Sequence, residues 1–297
     1  MFDPIGVGVA RLNSQMALAA VRGRLGGTGE SLTAAYAPEL ALTRSVLFGY
    51  PVGQTPAPAA PAGAVDVTAI PIEVTEGTST SPINLGGLTI VAAAADPFVM
   101  EYAEGMPASD VGWGLLTADG ISQISRLSNL TLDLGSRTPY LASVEGSNVA
   151  SHVVRSMVQA ATGNTLTGAL GSPATKVIVL LASDSNLASF SGLFGLDWIL
   201  PGYQAKFAGP GGAIVFELRQ SQSTAEYIVR ASYIAQTMDQ LRNQTALTLA
   251  APPASAPLFI PGCSADNATF DCPLASFVDL AKHAIDPRSA DLTDSNR

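Results

Sequence analysis

Residues 177–182 of this chain, Val-Ile-Val-Leu-Leu-Ala, form an unbroken apolar run rich in β-branched side chains. A run of that length and make-up reads as a strand buried on both faces, as in the middle of a parallel sheet. Four polar residues follow at once, Ser183, Asp184, Ser185 and Asn186, and then a small-residue helical pattern over 187–196. In open α/β sheets, ligands and chemistry gather beyond the carboxyl ends of strands. Asp184 stands at such a position, where an acid is useful.

The pattern is helix-rich up to residue 162 and mixed after it. Helices are expected over 14–27, capped by Asn13 or Ser14 and ended by Gly26-Gly27, and over 31–48, with Pro38 as a break or kink. Further helices fit 88–104, with Pro97 inside, 117–134, and 140–162. Residues 51–65 are rich in Pro, Ala and Gly and read as a flexible connection. Residues 213–218 and 227–235 read as a hairpin joined by a polar loop. A short helix at 238–243 and a last one at 273–285 complete the chain. No internal repeat is visible.

Composition narrows the function classes. With 297 residues, 47% hydrophobic and 13% charged, the chain can bury a large core in one big domain or two modest ones. Its net charge is -9, and its lysines are only Lys176, Lys206 and Lys282. Nucleic-acid binding is therefore not expected, because phosphate contacts need clustered cations. No uncharged apolar run is long enough to span a bilayer, so no membrane association is expected. The two cysteines, Cys263 and Cys272, form a disulfide or remain two free thiols; the spacing admits both. A zinc site needs four ligands, and these two have no further Cys or nearby His, so no metal and no cofactor are expected. No G-x-x-x-x-G-K-[ST] or G-x-G-x-x-G motif is present, which ranks a nucleotide-binding reading last.

The stretch Ser183-Asp184-Ser185-Asn186-Leu187-Ala188 resembles the second signature of the histidine acid phosphatases, the branch holding bacterial phytases and glucose-1-phosphatases. There His-Asp-Thr-Asn or His-Asp-Ser-Asn precedes Leu-Ala; here serine stands where the family has histidine. Other matches run in order along the chain. They are the opening from Phe2-Asp3-Pro4 to Phe48, Gly105-Met106-Pro107 with Gly112-Trp113-Gly114, and Arg137-Thr138-Pro139. Trp198-Ile199-Leu200-Pro201-Gly202, Pro210-Gly211-Gly212 before Val215-Phe216-Glu217, and Cys263 to Cys272 before Pro273-Leu274-Ala275-Ser276-Phe277 follow.

The resemblance implies an α/β fold: an incomplete phosphoglycerate-mutase-like (histidine phosphatase) sheet with a helical cap. The cap domain is expected over 1–135 and the C-terminal part of the α/β domain over 136–297. It implies Asp184 as proton donor to the leaving alcohol, Ser183 in place of the family's second histidine, and Arg137, Met106 and Asn186 at the substrate. It also implies a Cys263–Cys272 disulfide and a phosphorylated small molecule as partner. Periplasmic or secreted localisation follows by family, although Met1-Phe2-Asp3-Pro4 opens no secretion signal. The family's first signature, Arg-His-Gly-x-Arg-x-Pro, is absent; the only histidines are His152 and His283. The chain accordingly reads as an N-terminally truncated phosphomonoester hydrolase, inactive for want of its nucleophile, or else as a non-catalytic binder of phosphorylated ligands. Without the family's first strand, the 177–182 strand is expected to carry an unpaired edge and to favour self-association.

Overall fold

The structure is a computed structural model that describes residues 1–26, 28–78, 82–222 and 224–291. Its elements in chain order are α1 (Ser14–Arg24), α2 (Gly29–Ala35), α3 (Ala37–Leu47), β1 (Thr75–Glu76), β2 (Ile83–Asn84), α4 (Gly87–Ala103), α5 (Ala118–Gly135) and α6 (Pro139–Thr162). They continue with α7 (Asp184–Phe194), β3 (Ala213–Gln220), β4 (Tyr227–Ala235), α8 (Met238–Arg242), β5 (Ala254–Leu258), β6 (Cys272–Pro273) and α9 (Leu274–Ala284). The mixed helix and sheet class matches the expectation, and the helices dominate.

Local chemistry sets most boundaries. Asn13 caps α1 by accepting from Met16 N at 3.0 Å. Gly27, one of two glycines expected to end this helix, lies outside the described residues. The helix expected over 31–48 is two helices, because Pro38 cannot continue a helix from α2 and instead sits in the first turn of α3. Pro97 is accommodated inside α4. Thr117 caps α5, which turns Ile121, Ile124, Leu127 and Leu134 inward at helical spacing. Pro139 opens α6, and Gly163 closes it at a φ of 72°.

The larger sheet is antiparallel. β4 lies beside β3, while β5 and β6 share its other edge. Along β4 the inward positions alternate, placing Val229, Ala231, Tyr233 and Ala235 in the core. That face packs on α6, α7 and α9 through Phe190, Phe194 and Phe277. Two smaller apolar clusters lie among the N-terminal helices, one joining α1, α4 and α5 and the other α3, α4 and α5. The Cys263–Cys272 disulfide is formed and ties the loop before β6 to β4.

The run at 177–182 departs from the buried parallel strand expected of it. No described residue hydrogen-bonds to the backbone of residues 176–182. Val177, Val179 and Leu181 are 76%, 75% and 86% exposed, and only Leu180 packs onto the core. The pattern of a strand is present, but among the described residues no neighbouring strand meets it.

Candidate active site

Asp184 sits in the first turn of α7, at the end of the 177–182 segment. Ser183 is the residue that starts the helix, with extended backbone at φ -88° and ψ 169°. Its N–H donates to Asn186 Oδ1 at 3.1 Å, and its hydroxyl donates to the same oxygen at 2.9 Å. Asn186 Nδ2 donates in turn to Phe2 O at 2.9 Å, so Asn186 couples the start of α7 to the N-terminal residues. The helix onset therefore falls three residues before the expected one. The Asp184 side chain is exposed.

Asp184, Ser183 and Asn186 line one cavity of about 700 Å³. Its walls are the 179–183 segment, the turn at 207–214 and apolar side chains from α4 to α7. Pro210-Gly211-Gly212 serves as a tight turn here. A Cβ on Gly212 would lie 2.1 Å from the Tyr233 hydroxyl, which also accepts from Gly209 N at 3.0 Å.

A second carboxylate faces Asp184 across this space. Asp96 of α4 accepts from the Ser128 hydroxyl of α5. Burial pushes its carboxyl above the usual range, the Ser128 bond opposes that, and the Asp184 charge adds to it. Sequence reasoning missed Asp96, although a lone acid inside the apolar stretch 87–99 was a legible signal. Among the described residues, those lining the cavity include no Lys, Arg or His.

Arg137 and Met106 lie apart from this cavity. Arg137 is buried; its guanidinium donates to Lys206 O and to Ser191 Oγ at 3.4 Å, and lies over the Trp198 ring. Burial lowers its pKa, against the pull of the Asp133 and Asp197 charges. Met106 packs beside the α3–α4–α5 cluster, and its carbonyl accepts from Arg242 Nη2 at 2.8 Å. Ser183 and Asn186 also border a second cavity of about 540 Å³ that reaches Glu145 and Asp3. Burial raises the Glu145 pKa to about 7, with Ser189 opposing and Asp3 adding to the rise. No group of three or more His, Cys, Asp or Glu able to hold a metal ion occurs among the described residues. None of their helices is long and apolar enough to cross a membrane.

No family model matches the chain. It is 30% identical over 205 residues to phytase AppA of Escherichia coli K12, covering 67% of this chain and 45% of that protein. It is 30% identical over 195 residues to a glucose-1-phosphatase of Salmonella typhimurium, covering 65% of this chain and 44% of that protein. A solved Hafnia alvei phytase superimposes with a TM-score of 0.82 at 30% identity, covering 97% of this chain and 69% of that one. The chain belongs to the histidine acid phosphatase family. The stretches aligned to the curated relatives span under half of the relatives' own lengths. Neither histidine of the chain lines the Asp184 cavity. His152 Nδ1 lies 2.5 Å from Gly168 O, and His283 Nδ1 lies 2.8 Å from Asp279 O of its own helix.

Proposed function

We propose that this chain carries the proton-donor side of a phosphomonoesterase site and does not turn over phosphate esters by itself. The observation that carries the reading is the cavity lining: Asp184 and Asp96 line it, and among the described residues no cation or histidine does. Phosphoryl transfer needs a nucleophile and positive charge on the phosphate oxygens. Two like unit charges about 4 Å apart repel by about 4 kcal/mol at an effective dielectric near 20. A phosphate dianion entering beside two carboxylates meets repulsion of that order. Asp184 is the proposed acid, being exposed at a helix start on the cavity wall, and Ser183 is the proposed stand-in for the family's histidine.

The ligand class for a complete site of this kind is a phosphorylated polyol or sugar. Relatives are named as a phytase and glucose-1-phosphatases, and a solved Hafnia alvei phytase is described in complex with myo-inositol hexakis sulphate. An oxidising compartment, periplasmic or extracellular, fits the Cys263–Cys272 disulfide. The experiment is phosphate release from p-nitrophenyl phosphate by the purified chain. Rates at background are expected; turnover that disappears in Asp184→Asn would overturn the proposal. The reading as a non-catalytic binder of phosphorylated ligands meets the same repulsion, and calorimetry with phytate is expected to show no heat of binding.

A further inference from the structure

Lys206 has a left-handed backbone, with φ at 61°. A lysine is strained there and stays only where its surroundings over-determine it. Three separate parts of the fold do so. Its N–H donates to Trp198 O at 2.8 Å, its carbonyl accepts from the Arg137 guanidinium, and its ammonium donates to Asp133 Oδ1 of α5 at 3.1 Å. The two residues before it are held as well. Gln204 Nε2 donates to Ser125 Oγ at 2.9 Å, and Asn129 Nδ2 donates to Ala205 O at 3.1 Å. Ser125, Asn129 and Asp133 recur every four residues, so they form one stripe along α5. The 207–214 turn that follows Lys206 is a wall of the Asp184 cavity. Trp113, Ala225, Gln244 and Phe270 also have positive φ, and none of them adjoins that lining.

We propose that Lys206 is a positioning residue: its left-handed backbone, locked by the α5 stripe, sets where the 207–214 wall stands relative to Asp96 and Asp184. α5 also holds Asp96, because the Ser128 hydroxyl donates to that carboxylate of α4. The same helix therefore gauges the gap between the α4 carboxylate and the turn. Asp133 ties this joint to α1, accepting from Arg24 Nη2 at 2.7 Å. Burial pushes the Asp133 carboxyl up, and the Arg24 and Lys206 charges bring it below its usual value. Past Lys206 the wall is fixed by Trp198 Nε1, which donates to Phe207 O at 3.0 Å, and by Gly209 N, which donates to the Tyr233 hydroxyl at 3.0 Å. Gly212 N then donates to Gly209 O at 2.9 Å. A role in ligand placement rests on the Asp184 cavity being the ligand site, whereas the hold on the wall needs no phosphate chemistry.

Amide exchange of the full chain, read by proton–nitrogen NMR, tests it. Lys206→Val removes the ammonium and puts a β-branched residue where φ is positive. Exchange at Gly209 and Gly212 is expected to rise at least about tenfold, while the buried Val229 of β4 keeps its wild-type rate. The Trp198 indole resonance, which reports the bond to Phe207 O, is expected to move in Lys206→Val and to keep its wild-type position in Lys206→Arg. Asp133→Asn breaks the same ion pair without touching the backbone of the wall, and is expected to shift the same signals in the same direction. It decides the matter if Lys206→Val does not fold. Unchanged glycine exchange and an unchanged indole resonance in these variants overturn the proposal. So does a rise at Val229 as large as at Gly209, or a Lys206→Arg variant that behaves like Lys206→Val. Turnover of p-nitrophenyl phosphate that survives Asp184→Asn would instead remove the cavity from the reaction and leave these signals as they are.

Discussion

The Ser189 hydroxyl of α7 lies 3.0 Å from Glu145 Oε2 of α6 and 2.6 Å from Ser185 O. A serine has one proton to give. When Glu145 is protonated it donates to Ser189 Oγ, which donates to Ser185 O, and both bonds form. When Glu145 is ionised, Ser189 serves one acceptor and leaves the other. Burial favours the neutral form of Glu145 and outweighs the bond from Ser189, which favours the ionised one. The two helices pack closely here: a Cβ on Gly146 of α6 would lie 3.2 Å from Ser189 O.

That arrangement fixes a pH dependence. The Glu145 carboxyl binds its proton up to about pH 7 in the folded chain, against a reference value of 4.5 when exposed. Below the reference value both states are protonated and nothing is lost. As pH rises from there towards 7 the unfolded chain ionises first, so stability falls, by about 3 kcal/mol in all, and then levels off. Glu145→Gln keeps an acceptor for Ser189 and removes the titration. Its melting temperature is expected to exceed that of the wild type at pH 7.5 and to lose that advantage at pH 4.5. Thermal melts across this range measure the difference.

Arg137 is expected to matter for folding. Its guanidinium joins the α5–α6 connection to the 198–207 turn by donating to Lys206 O, reaches Ser191 on α7 and lies over Trp198. A lysine offers one ammonium in place of this planar fork. Arg137→Lys is expected to cost about 2 kcal/mol, in the range for hydrogen bonds to charged groups. Chemical denaturation reads this directly, as a lower midpoint with an unchanged slope.

Much of this architecture is legible from residues 118 to 162, where helical spacing, a threonine cap, a proline start and a glycine stop all agree. The hairpin of β3 and β4 was equally clear, because alternation and a polar loop coincide. β5 was not, because Ala254–Leu258 contains Pro257, which argues against a strand. It is tolerated since β5 borders β4 on one side. At 177–182 the pattern named the conformation but not the partner, and a strand's burial depends on what lies beside it. The site divides in the same way. Asp184, Ser183 and Asn186 are neighbours in sequence and meet at one cavity, whereas Asp96 arrives from α4 by tertiary packing, 88 positions earlier (184 − 96).

The disulfide closes a short loop, with a sequence separation of 9. In the chain-entropy account such a loop stabilises the fold by roughly 2–3 kcal/mol. Reduction, or Cys263→Ala with Cys272→Ala, is expected to lower stability by that order. The loss should centre on β6 and its pairing with Val229 of β4, which hydrogen exchange resolves.

Glu39 is a charged residue in the apolar heart of the helical region. Its side chain is 1% exposed and bonds Arg126, whose own side chain is half exposed. One carboxylate oxygen, Oε2, has no hydrogen-bond partner. Removing the arginine strands the carboxylate, whereas removing the charge from Glu39 leaves Arg126 free to reach water. The two single variants are therefore unequal. Arg126→Ala is expected to destabilise by about 2 kcal/mol, below the usual 3–5 for a broken buried pair because water reaches one end. Glu39→Gln is expected to cost less, and Glu39→Met together with Arg126→Met to be close to neutral, since apolar groups of similar volume avoid the desolvation altogether. Equilibrium unfolding of the single and double variants decides it, and equal losses in both single variants would contradict the asymmetry in burial.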